Sequence, residues 1–497
     1  MGPWRITFEV DPASPLPLFV QLSRTIANDV RRGRLRPGER LPGTRELART
    51  LRLNRNTIAA AYGALEAEGW IAATVGSGTY VRDDLPGGGP IEGARDRRVR
   101  ARPAGAELGF DLQAPDRPFQ EDASIEASST KWDFGLPDVR LAPTKELARA
   151  YRRALRDRGT ELLQYERYRV ERAGRLAVAL ASMVRATRAL DAGPENIVVT
   201  QGSQMAFYLV ARAILRPGDR VVVEAPGAYV LWNVLEDAGA TILPVEVDAE
   251  GLRVDLLRER IAEGRVRAIV LTPHHQFPTT VSLSIGRRSE LSALARRHRI
   301  AIIEDDYDHE YHYDGPPLLP LAANDPGGQV IYLGTLSKLF GPGLRLGYLV
   351  GPKRLVDEVR RRRRMIDLQG DGVLEAAVAE LFEDGEMTRH FNRARRAYRE
   401  RRDFLAHALE SRLSSVLSFR VPAGGMAIWA RVAPDVDVDA WAARARERGL
   451  LVRTGQIFSP TQASLPFLRL GYARFDESEL LRAATTLARA LPPRRRR

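Results

Sequence analysis

The segment Gln329-Val330-Ile331-Tyr332-Leu333-Gly334-Thr335-Leu336-Ser337-Lys338 decides the fold of most of this 497-residue chain. It begins with a short apolar run and ends in hydroxyl groups and an amine. Such a run is typical of a strand buried on both faces of a parallel sheet. Ligands bind beyond the carboxyl ends of these strands. Lys338 is therefore predicted to lie at a ligand site, where its amine can attack a carbonyl group.

Similar apolar runs recur along the chain and alternate with helical stretches. They are Asn196-Ile197-Val198-Val199-Thr200, Arg220-Val221-Val222-Val223-Glu224, Ala268-Ile269-Val270-Leu271-Thr272 and Ala301-Ile302-Ile303-Glu304. Alternation of this kind predicts an α/β fold, a mainly parallel sheet with helices on both faces.

Two other strand ends carry groups that complement Lys338. Asp305 and Tyr307 offer a carboxylate for a pyridinium nitrogen and a phenol for a ring oxygen, while 202–204 (Gly-Ser-Gln) precedes a helix whose N–H groups favour a phosphate. Arg345 can bind a phosphate through two hydrogen bonds. Each feature alone more often binds solvent or turns the chain. Together with Lys338 they predict a pyridoxal 5'-phosphate (PLP) site.

The first 83 residues carry a different pattern. Thr44–Leu51 is predicted to be a helix with Thr44 as its N-cap, and a second helix runs from Arg55 to about Glu68 with Asn54 as its cap. Two short helices joined by a tight turn form a helix-turn-helix, whose second helix enters the major groove of DNA. Residues 75–81 (Val-Gly-Ser-Gly-Thr-Tyr-Val) are predicted to form a hairpin wing. The residues expected to face DNA are Thr44, Arg45, Arg55, Asn56, Thr57, Ser77 and Gly78.

Charge and composition narrow the function classes. The net charge is +13, and ten arginines oppose three acidic residues between Arg24 and Arg55, which favours a polyanionic partner such as double-stranded DNA. Only four lysines compete for covalent chemistry: Lys131, Lys145, Lys338 and Lys353. The chain has no cysteine, no apolar run of membrane-spanning length and no secretory signal at its start, so we expect a cytoplasmic protein without a membrane partner.

One histidine-containing segment invites a metal interpretation. His309-Glu310-Tyr311-His312 does not have the His-Glu-x-x-His spacing of zinc proteases. These histidines are interpreted as flanking the acidic strand end, and no metal site is predicted.

Both regions resemble known families. Residues 16–22 (Leu-Pro-Leu-Phe-Val-Gln-Leu), 33–42 (Gly-Arg-Leu-Arg-Pro-Gly-Glu-Arg-Leu-Pro) and 55–58 (Arg-Asn-Thr-Ile) resemble the GntR-type winged helix-turn-helix, although Arg52 stands where that family usually has glycine. The body resembles a fold-type I, aspartate aminotransferase-like PLP domain with a small C-terminal α+β subdomain. Its fusion behind a winged helix is similar to the MocR family of regulators. Expected boundaries are 14–83 for the winged helix, 84–130 for a linker and 131–492 for the PLP domain.

The resemblance implies a role for each candidate residue. It makes Lys338 the lysine that attaches PLP, pairs Asp305 with the pyridine nitrogen and places Tyr307 on the 3-oxygen. The residues it implies for the phosphate are Ser203, Gln204, Thr335 and Arg345. Tyr229 is near the residue that stacks on the ring, and Tyr165, in a loop that shapes the effector pocket, is also expected to contact the cofactor. Arg469 matches the arginine that binds a substrate carboxylate. The resemblance also implies a homodimer in which each winged helix lies over the partner's large domain.

Two departures bear on activity. Phe277-Pro278-Thr279-Thr280 replaces the Asn-Pro-Thr-Gly of aminotransferases, and the segment 165–170 keeps only Tyr165 of the family pattern. The leading interpretation is a PLP-dependent transcription regulator that senses an amine, an amino acid or PLP itself, with little or no turnover. Two alternatives stay open: an active aminotransferase with a DNA-binding arm, and a repressor whose large domain only dimerises.

Overall fold

The computed structural model describes Asp11 and residues 14–74, 77–86, 130–132, 135–165 and 174–494. The chain divides into two compact units, residues 1–113 and 114–497, and each is described by itself. None of the helices in the described ranges combines the length and the apolar composition needed to cross a membrane.

In its described residues the N-terminal unit has three helices and a three-stranded sheet. Its elements are α1 (Leu18–Arg31), β1 (Arg40–Leu41), α2 (Thr44–Leu51), α3 (Arg55–Ala67), β2 (Ile71–Thr74) and β3 (Gly78–Val81), with strand order β1-β3-β2. Apolar side chains from all three helices pack with Trp70 and Val81 to form its core. The predicted helix-turn-helix is confirmed, and Asn54 caps α3 by accepting a hydrogen bond from the Asn56 N–H at 2.9 Å.

Two details of this unit bear on the sequence predictions for Thr44 and Arg52. Thr44 is not the N-cap of α2, because the helix already includes Thr44 and Gly43 takes the cap position without a side-chain bond. Glycine has no side chain that could accept from the first N–H groups, so this helix start lacks a side-chain cap. Arg52 adopts a left-handed conformation (φ 55°) that glycine favours, and the turn keeps its geometry.

The larger unit is built on an eight-stranded sheet of order β5-β12-β11-β10-β9-β6-β7-β8. Its strands are β5 (Ile197–Thr200), β6 (Arg220–Ala225), β7 (Thr241–Asp248), β8 (Gly251–Leu252), β9 (Val266–Leu271), β10 (Ala301–Asp306), β11 (Val330–Thr335) and β12 (Gly347–Val350). The pairs from β11 through β10, β9 and β6 to β7 are parallel, while β12 is antiparallel to both neighbours and β8 is antiparallel to β7. The mainly parallel sheet predicted from the sequence is confirmed.

Helices cover both faces of this sheet. The helices of this unit are α4 (Thr144–Leu162), α5 (Arg175–Arg188), α6 (Ser203–Ile214), α7 (Tyr229–Asp237), α8 (Val254–Ala262), α9 (Ile285–His298), α10 (Lys353–Arg364), α11 (Gly372–Glu383), α12 (Glu386–Leu413), α13 (Val438–Glu447) and α14 (Glu477–Arg489). Alternate residues of β10 separate the two faces: Ile303 packs with α6 and α7, whereas Ile302 packs with α8 and α9. Successive side chains of one strand therefore enter different cores.

The C-terminal part forms the predicted α+β subdomain. A four-stranded sheet of order β13-β14-β17-β16 joins β13 (Leu417–Ser418), β14 (Ala427–Val432), β16 (Arg453–Thr454) and β17 (Phe467–Gly471). β4 (Thr130–Lys131) pairs in parallel with β15 (Leu450–Leu451). Thr130, expected to end the linker, therefore already belongs to a strand of the body; residues 87–129 lie outside the described part of the chain.

Candidate functional site

The candidate site lies at one edge of the large sheet. Strands β5, β6, β9, β10 and β11 point in the same direction, so their carboxyl ends meet at that edge. The segments that follow them carry Ser203 and Tyr229 at helix starts and Phe277, Tyr307 and Lys338 in loops. Residues separated by up to 135 positions in sequence are thereby gathered by the topology of the sheet.

The N-terminus of α6 forms an anion cradle. Gly202 adopts φ 85°, and a Cβ there would lie 2.9 Å from an Arg345 guanidinium nitrogen. A Cβ at Gly347 would lie 2.5 Å from the Ser203 backbone nitrogen, so only glycine lets β12 approach this helix end. Arg345 donates to the Gln201 carbonyl at 3.3 Å. Exposed N–H groups at a helix start beside a guanidinium favour a phosphate.

The end of β11 brings hydroxyl groups and the lysine to the same edge. Thr335 Oγ1 accepts a hydrogen bond from the Ser337 N–H at 3.1 Å, which fixes the turn after the strand. Ser337 Oγ is buried and has no hydrogen-bond partner within the described ranges. The half-buried Lys338 donates from Nζ to the Gly135 carbonyl at 3.3 Å. A further acceptor, such as a phosphate oxygen, would satisfy the Ser337 hydroxyl.

Asp305 faces this edge with an unsatisfied carboxylate oxygen. Its Oδ1 atom is buried without a hydrogen-bond partner among the residues described. Burial, reinforced by the nearby carboxylates of Asp306 and Asp308, raises the pKa of Asp305 to about 7, although the Lys338 ammonium lowers it. A protonated ring nitrogen placed here would supply the positive charge and the hydrogen bond that this carboxylate lacks.

Tyr307 and Arg469 meet on the far side of the site. The Tyr307 hydroxyl donates to the His275 carbonyl at 3.0 Å, and an Arg469 Nη2 lies 3.5 Å from the same hydroxyl. Arg469 is buried, donates to the Pro278 carbonyl and stands 4.5 Å above the Phe277 ring. Phe277, which replaces the asparagine of aminotransferases, thus packs against Arg469, the residue matched to the arginine that binds a substrate carboxylate.

Two candidate tyrosines occupy contrasting positions. Tyr229 is buried at the first position of α7, which places it at the same edge. Tyr165 lies beyond the end of α4 and is 55% exposed, so the structure does not bury it with the other candidates. The rest of its loop, residues 166–170, lies outside the described part of the chain.

The residues at this edge of the sheet are suited to bind PLP. Asp305 Oδ1 and Ser337 Oγ are buried polar atoms without partners in the described ranges, and Gly202 and Gly347 keep the helix start open. An anionic phosphate would suit the helix start and the hydroxyl, and a cationic ring nitrogen would suit the Asp305 carboxylate.

A second polar cluster, missed by the sequence interpretation, lies on the other side of β10. Asp306 Oδ2 accepts from the Tyr332 hydroxyl at 2.7 Å and forms an ion pair with His309 Nδ1 at 3.1 Å. The buried Arg188 donates to Tyr332 at 2.6 Å and to Glu310. Burial raises the pKa of Asp306, but His309 and Arg188 outweigh it and hold the pKa well below its usual value.

His309 of this cluster also belongs to a group of four neighbouring histidines. The ring centroids of His274 lie 4.0 Å from His275 and 5.4 Å from both His309 and His312. His274 and His275 follow β9, and the other two follow β10, its neighbour in the sheet. The strand-end rule that located the cofactor residues would also have predicted this meeting, had it been applied to histidine.

In the N-terminal unit the candidate DNA-binding residues lie at the starts of α2 and α3 and in the wing, and none of them is buried. Arg45, Arg55, Asn56 and Ser77 are exposed, while Thr44, Thr57 and Gly78 are half-buried. Gly78 packs closely, since a Cβ there would lie 2.8 Å from Arg40 Nε. The wing tip, residues 75–76, lies outside the described part.

The fold and the two regions define a class: a DNA-binding winged helix joined to an aminotransferase-like domain. The family described as bacterial regulatory proteins, gntR family, matches residues 19–81, and aminotransferase class I and II matches residues 131–487. The solved structure of LysN, an α-aminoadipate aminotransferase from Thermus thermophilus complexed with N-(5'-phosphopyridoxyl)-L-leucine, is 28% identical, with a TM-score of 0.67 over 73% of this chain and 92% of that one.

Full-length relatives join the same two domains. The HTH-type transcriptional regulator TauR of Rhodobacter capsulatus is 30% identical over 492 residues, covering 98% of this chain and 99% of TauR. The probable rhizopine catabolism regulatory protein MocR of Rhizobium meliloti is 29% identical over 496 residues, covering 97% and 95%. The chain belongs to the MocR family of GntR-type transcription regulators, as its sequence predicted.

Proposed function

We propose that this protein is a PLP-dependent transcription regulator, in which PLP or an amine bound at the sheet edge changes the DNA binding of the winged helix. One observation carries the proposal. Lys338, the unsatisfied Asp305 carboxylate and the α6 anion cradle meet at one sheet edge, in a chain that also has a DNA-binding unit. A domain that only dimerised would have no need of this combination.

Each group at the edge has a proposed task. Lys338 holds the cofactor covalently, Asp305 keeps the ring nitrogen protonated, Tyr307 binds the ring's 3-oxygen and Tyr229 covers the ring. The phosphate is assigned to Ser203, Gln204, Thr335 and Arg345. When bound, PLP supplies a carbonyl that reacts with amines and a ring that withdraws electrons.

The effector is proposed to be an amine, an amino acid or PLP itself. An incoming amine would compete with Lys338 for the cofactor, and Arg469 would hold a carboxylate if the amine carries one. The LysN complex, whose ligand joins a phosphopyridoxyl group to leucine, supports an amino-acid-sized ligand at this edge. Release of the lysine would alter the site and thereby shift the population of DNA-binding states. The proposal includes a cytoplasmic homodimer, which light scattering of the purified protein tests.

Turnover is the second candidate, because Lys338, Asp305, Tyr307 and Arg469 are all present. Phe277 stacks under Arg469 where aminotransferases have asparagine, which favours binding over catalysis. We expect an absorbance change with amino acids but a steady-state rate below the usual enzyme range of roughly 1–1,000 per second. Assays with a panel of amino and keto acids measure this; a rate within that range would identify an enzyme.

The cofactor assignment is tested with two lysine variants. Lys338→Ala should lose the visible absorbance band of PLP-loaded protein and release PLP on dialysis. Lys353→Ala is the matched control, because Lys353 is exposed on α10 and pairs with Asp357. An unchanged spectrum in Lys338→Ala would overturn the assignment.

DNA binding is tested on the winged helix. Arg55→Ala should weaken promoter binding by about 1–3 kcal/mol, and affinity should fall steeply with salt because phosphate contacts release counterions. Arg296→Ala, which removes an exposed arginine from α9, is the control for net charge. Equal binding by protein lacking residues 1–130 would contradict this part of the proposal.

A further inference from the structure

We infer that His274, His275 and His312 form a binding site for one divalent transition-metal ion of the zinc type. One ring nitrogen from each of the three lies within 4.8 Å of the others. In this structure the site is empty. Three neutral imidazoles are a ligand set typical of zinc, nickel and copper sites.

The distances suit a shared ion. His275 Nε2 and His312 Nδ1 lie 3.1 Å apart. Two nitrogens bound tetrahedrally at 2.0–2.1 Å stand about 3.3 Å apart, so this pair is nearly in place. A His274 ring nitrogen, within 4.8 Å of the other two, completes the set. Space beside His275 Nε2 is kept by Gly424, whose Cβ, if present, would lie 2.1 Å from that atom.

The outer hydrogen bonds of two histidines match those of metal ligands. His275 Nδ1 lies 2.9 Å from Asp308 Oδ1, and His312 Nε2 lies 3.0 Å from the Asp314 carbonyl. Metal-binding histidines usually donate their second N–H to a carboxylate or a carbonyl in this way, which turns the other nitrogen's lone pair toward the ion. In the tautomers that donate these outer N–H groups, the two nitrogens 3.1 Å apart both turn a lone pair toward the space between them, where a cation can bind.

A proton between His275 and His312 is the competing explanation, and His274 argues against it. Both His274 ring nitrogens are buried and have no hydrogen-bond partner within the described residues. A buried polar group left without a partner destabilises the folded protein. A proton on the neighbouring pair leaves both His274 nitrogens without a partner, whereas a metal ion ligates one of them together with one nitrogen of each other ring.

The site also has an entrance. His312, with His309 and Glu310, lines a cavity of about 580 Å³ between α5 and α12. A metal ion with three protein nitrogens keeps a fourth position for water or a small ligand, and the cavity supplies the volume for it. The site lies beside the cofactor edge, because Asp308 follows Tyr307 in the chain, but it shares no residue with the proposed cofactor contacts.

The experiment uses untagged full-length protein freed of PLP and treated with a chelator, since PLP and histidine tags bind metals. Zn²⁺ and Co²⁺ are titrated separately by calorimetry, and bound metal per chain is measured after gel filtration. We expect one ion per chain, with the visible bands of tetrahedral Co²⁺. X-ray absorption of the Zn²⁺ form should count three imidazole nitrogens, a result that depends on no variant.

Variants separate the site from incidental binding. Asp308→Asn should weaken metal binding about 10–100-fold, the usual effect of losing an outer partner. His274→Asn and His312→Asn should weaken it further. The controls are His298→Asn and His407→Asn, which change exposed histidines on α9 and α12 and should leave the affinity unchanged. Circular dichroism checks that each variant folds.

Two results would overturn the inference. One is wild-type protein that binds no Zn²⁺ or Co²⁺, which would leave a proton as the shared cation. The other is binding that His274→Asn and His312→Asn change no more than the two controls do.

Discussion

The two faces of strand β10 carry neighbouring aspartates with opposite roles. Asp305 faces the cofactor edge with an unpaired oxygen and a pKa raised to about 7, mainly by burial. Asp306 faces α5 and is surrounded by Tyr332, His309 and Arg188, which keep it ionised despite its burial. Both aspartates keep one buried oxygen without a hydrogen-bond partner in the described residues, but Asp306 Oδ2 is contacted by a hydroxyl and two cationic groups.

The two aspartates show how one strand can present a ligand-binding group on one face and a stabilising group on the other. A buried carboxylate without a partner destabilises the protein until a ligand completes it, whereas a carboxylate with several partners stabilises the protein and has little left to offer a ligand. Because the side chains of a strand alternate, the two arrangements stand one residue apart.

The largest expected effect comes from breaking the paired face. Asp306→Ala leaves Arg188 and His309 without their shared carboxylate and should lower the free energy of unfolding by about 3–5 kcal/mol. Asp357→Ala, which removes an exposed ion pair with Lys353, should cost about 0–1 kcal/mol. Urea unfolding measures both. A loss in Asp306→Ala no greater than in the control would show that the cluster does not stabilise the fold.

The next effect concerns pH in the protein without cofactor. The pKa of Asp305 is raised on folding, so its contribution to stability is full below about pH 4 and is lost as pH rises through about 7. Asp305→Asn has no such titration. Relative to wild type, this variant should gain roughly 2–4 kcal/mol of stability between pH 4 and pH 8. A constant difference in unfolding free energy across that range would contradict the raised pKa.

The same variant should sharpen the comparison when PLP is present. Asp305→Asn replaces a charged partner of the ring nitrogen and should weaken PLP retention about 10–100-fold, the value of a hydrogen bond to a charged group. Equilibrium dialysis followed by absorbance measures it. If Asp357→Asn lost as much PLP, the effect would not belong to the site.

The smallest effect is expected at Tyr307. Tyr307→Phe removes a hydrogen bond to the His275 carbonyl and should lower the unfolding free energy by about 0.5–1.5 kcal/mol. Thermal unfolding without PLP isolates this contribution from any contact with the cofactor. An unchanged midpoint would mean that the hydroxyl is held for the ligand alone.

Local patterns carried most of what the sequence predicted. The bounds of α2 and α3, the Asn54 cap and the strands of the parallel sheet follow from periodicity and capping chemistry within short windows. Applied to the sequence alone, the strand-end rule also predicts that Lys338, Asp305 and Tyr307 lie at one edge of the sheet.

What the sequence did not predict depends on contacts between distant segments. The exposure of Tyr165 and the packing of Arg469 over Phe277 depend on tertiary neighbours. The histidine group forms because the loops after β9 and β10 lie next to each other. The spacing within 309–312 alone does not include His274 and His275, which belong to the other loop. Thr44 is not the N-cap because α2 begins at Thr44 itself, one residue earlier than the prediction required.

Gly424 gives the histidine group a consequence for mutational tolerance. It takes no left-handed conformation, so its backbone would accept any residue, yet a Cβ would collide with His275 Nε2 and with the Tyr311 carbonyl at 2.7 Å. His312 bridges to the same glycine across the subdomain boundary. In a saturation library this position should therefore reject even alanine. The added methyl group would push the C-terminal sheet away from the loops that carry the imidazoles.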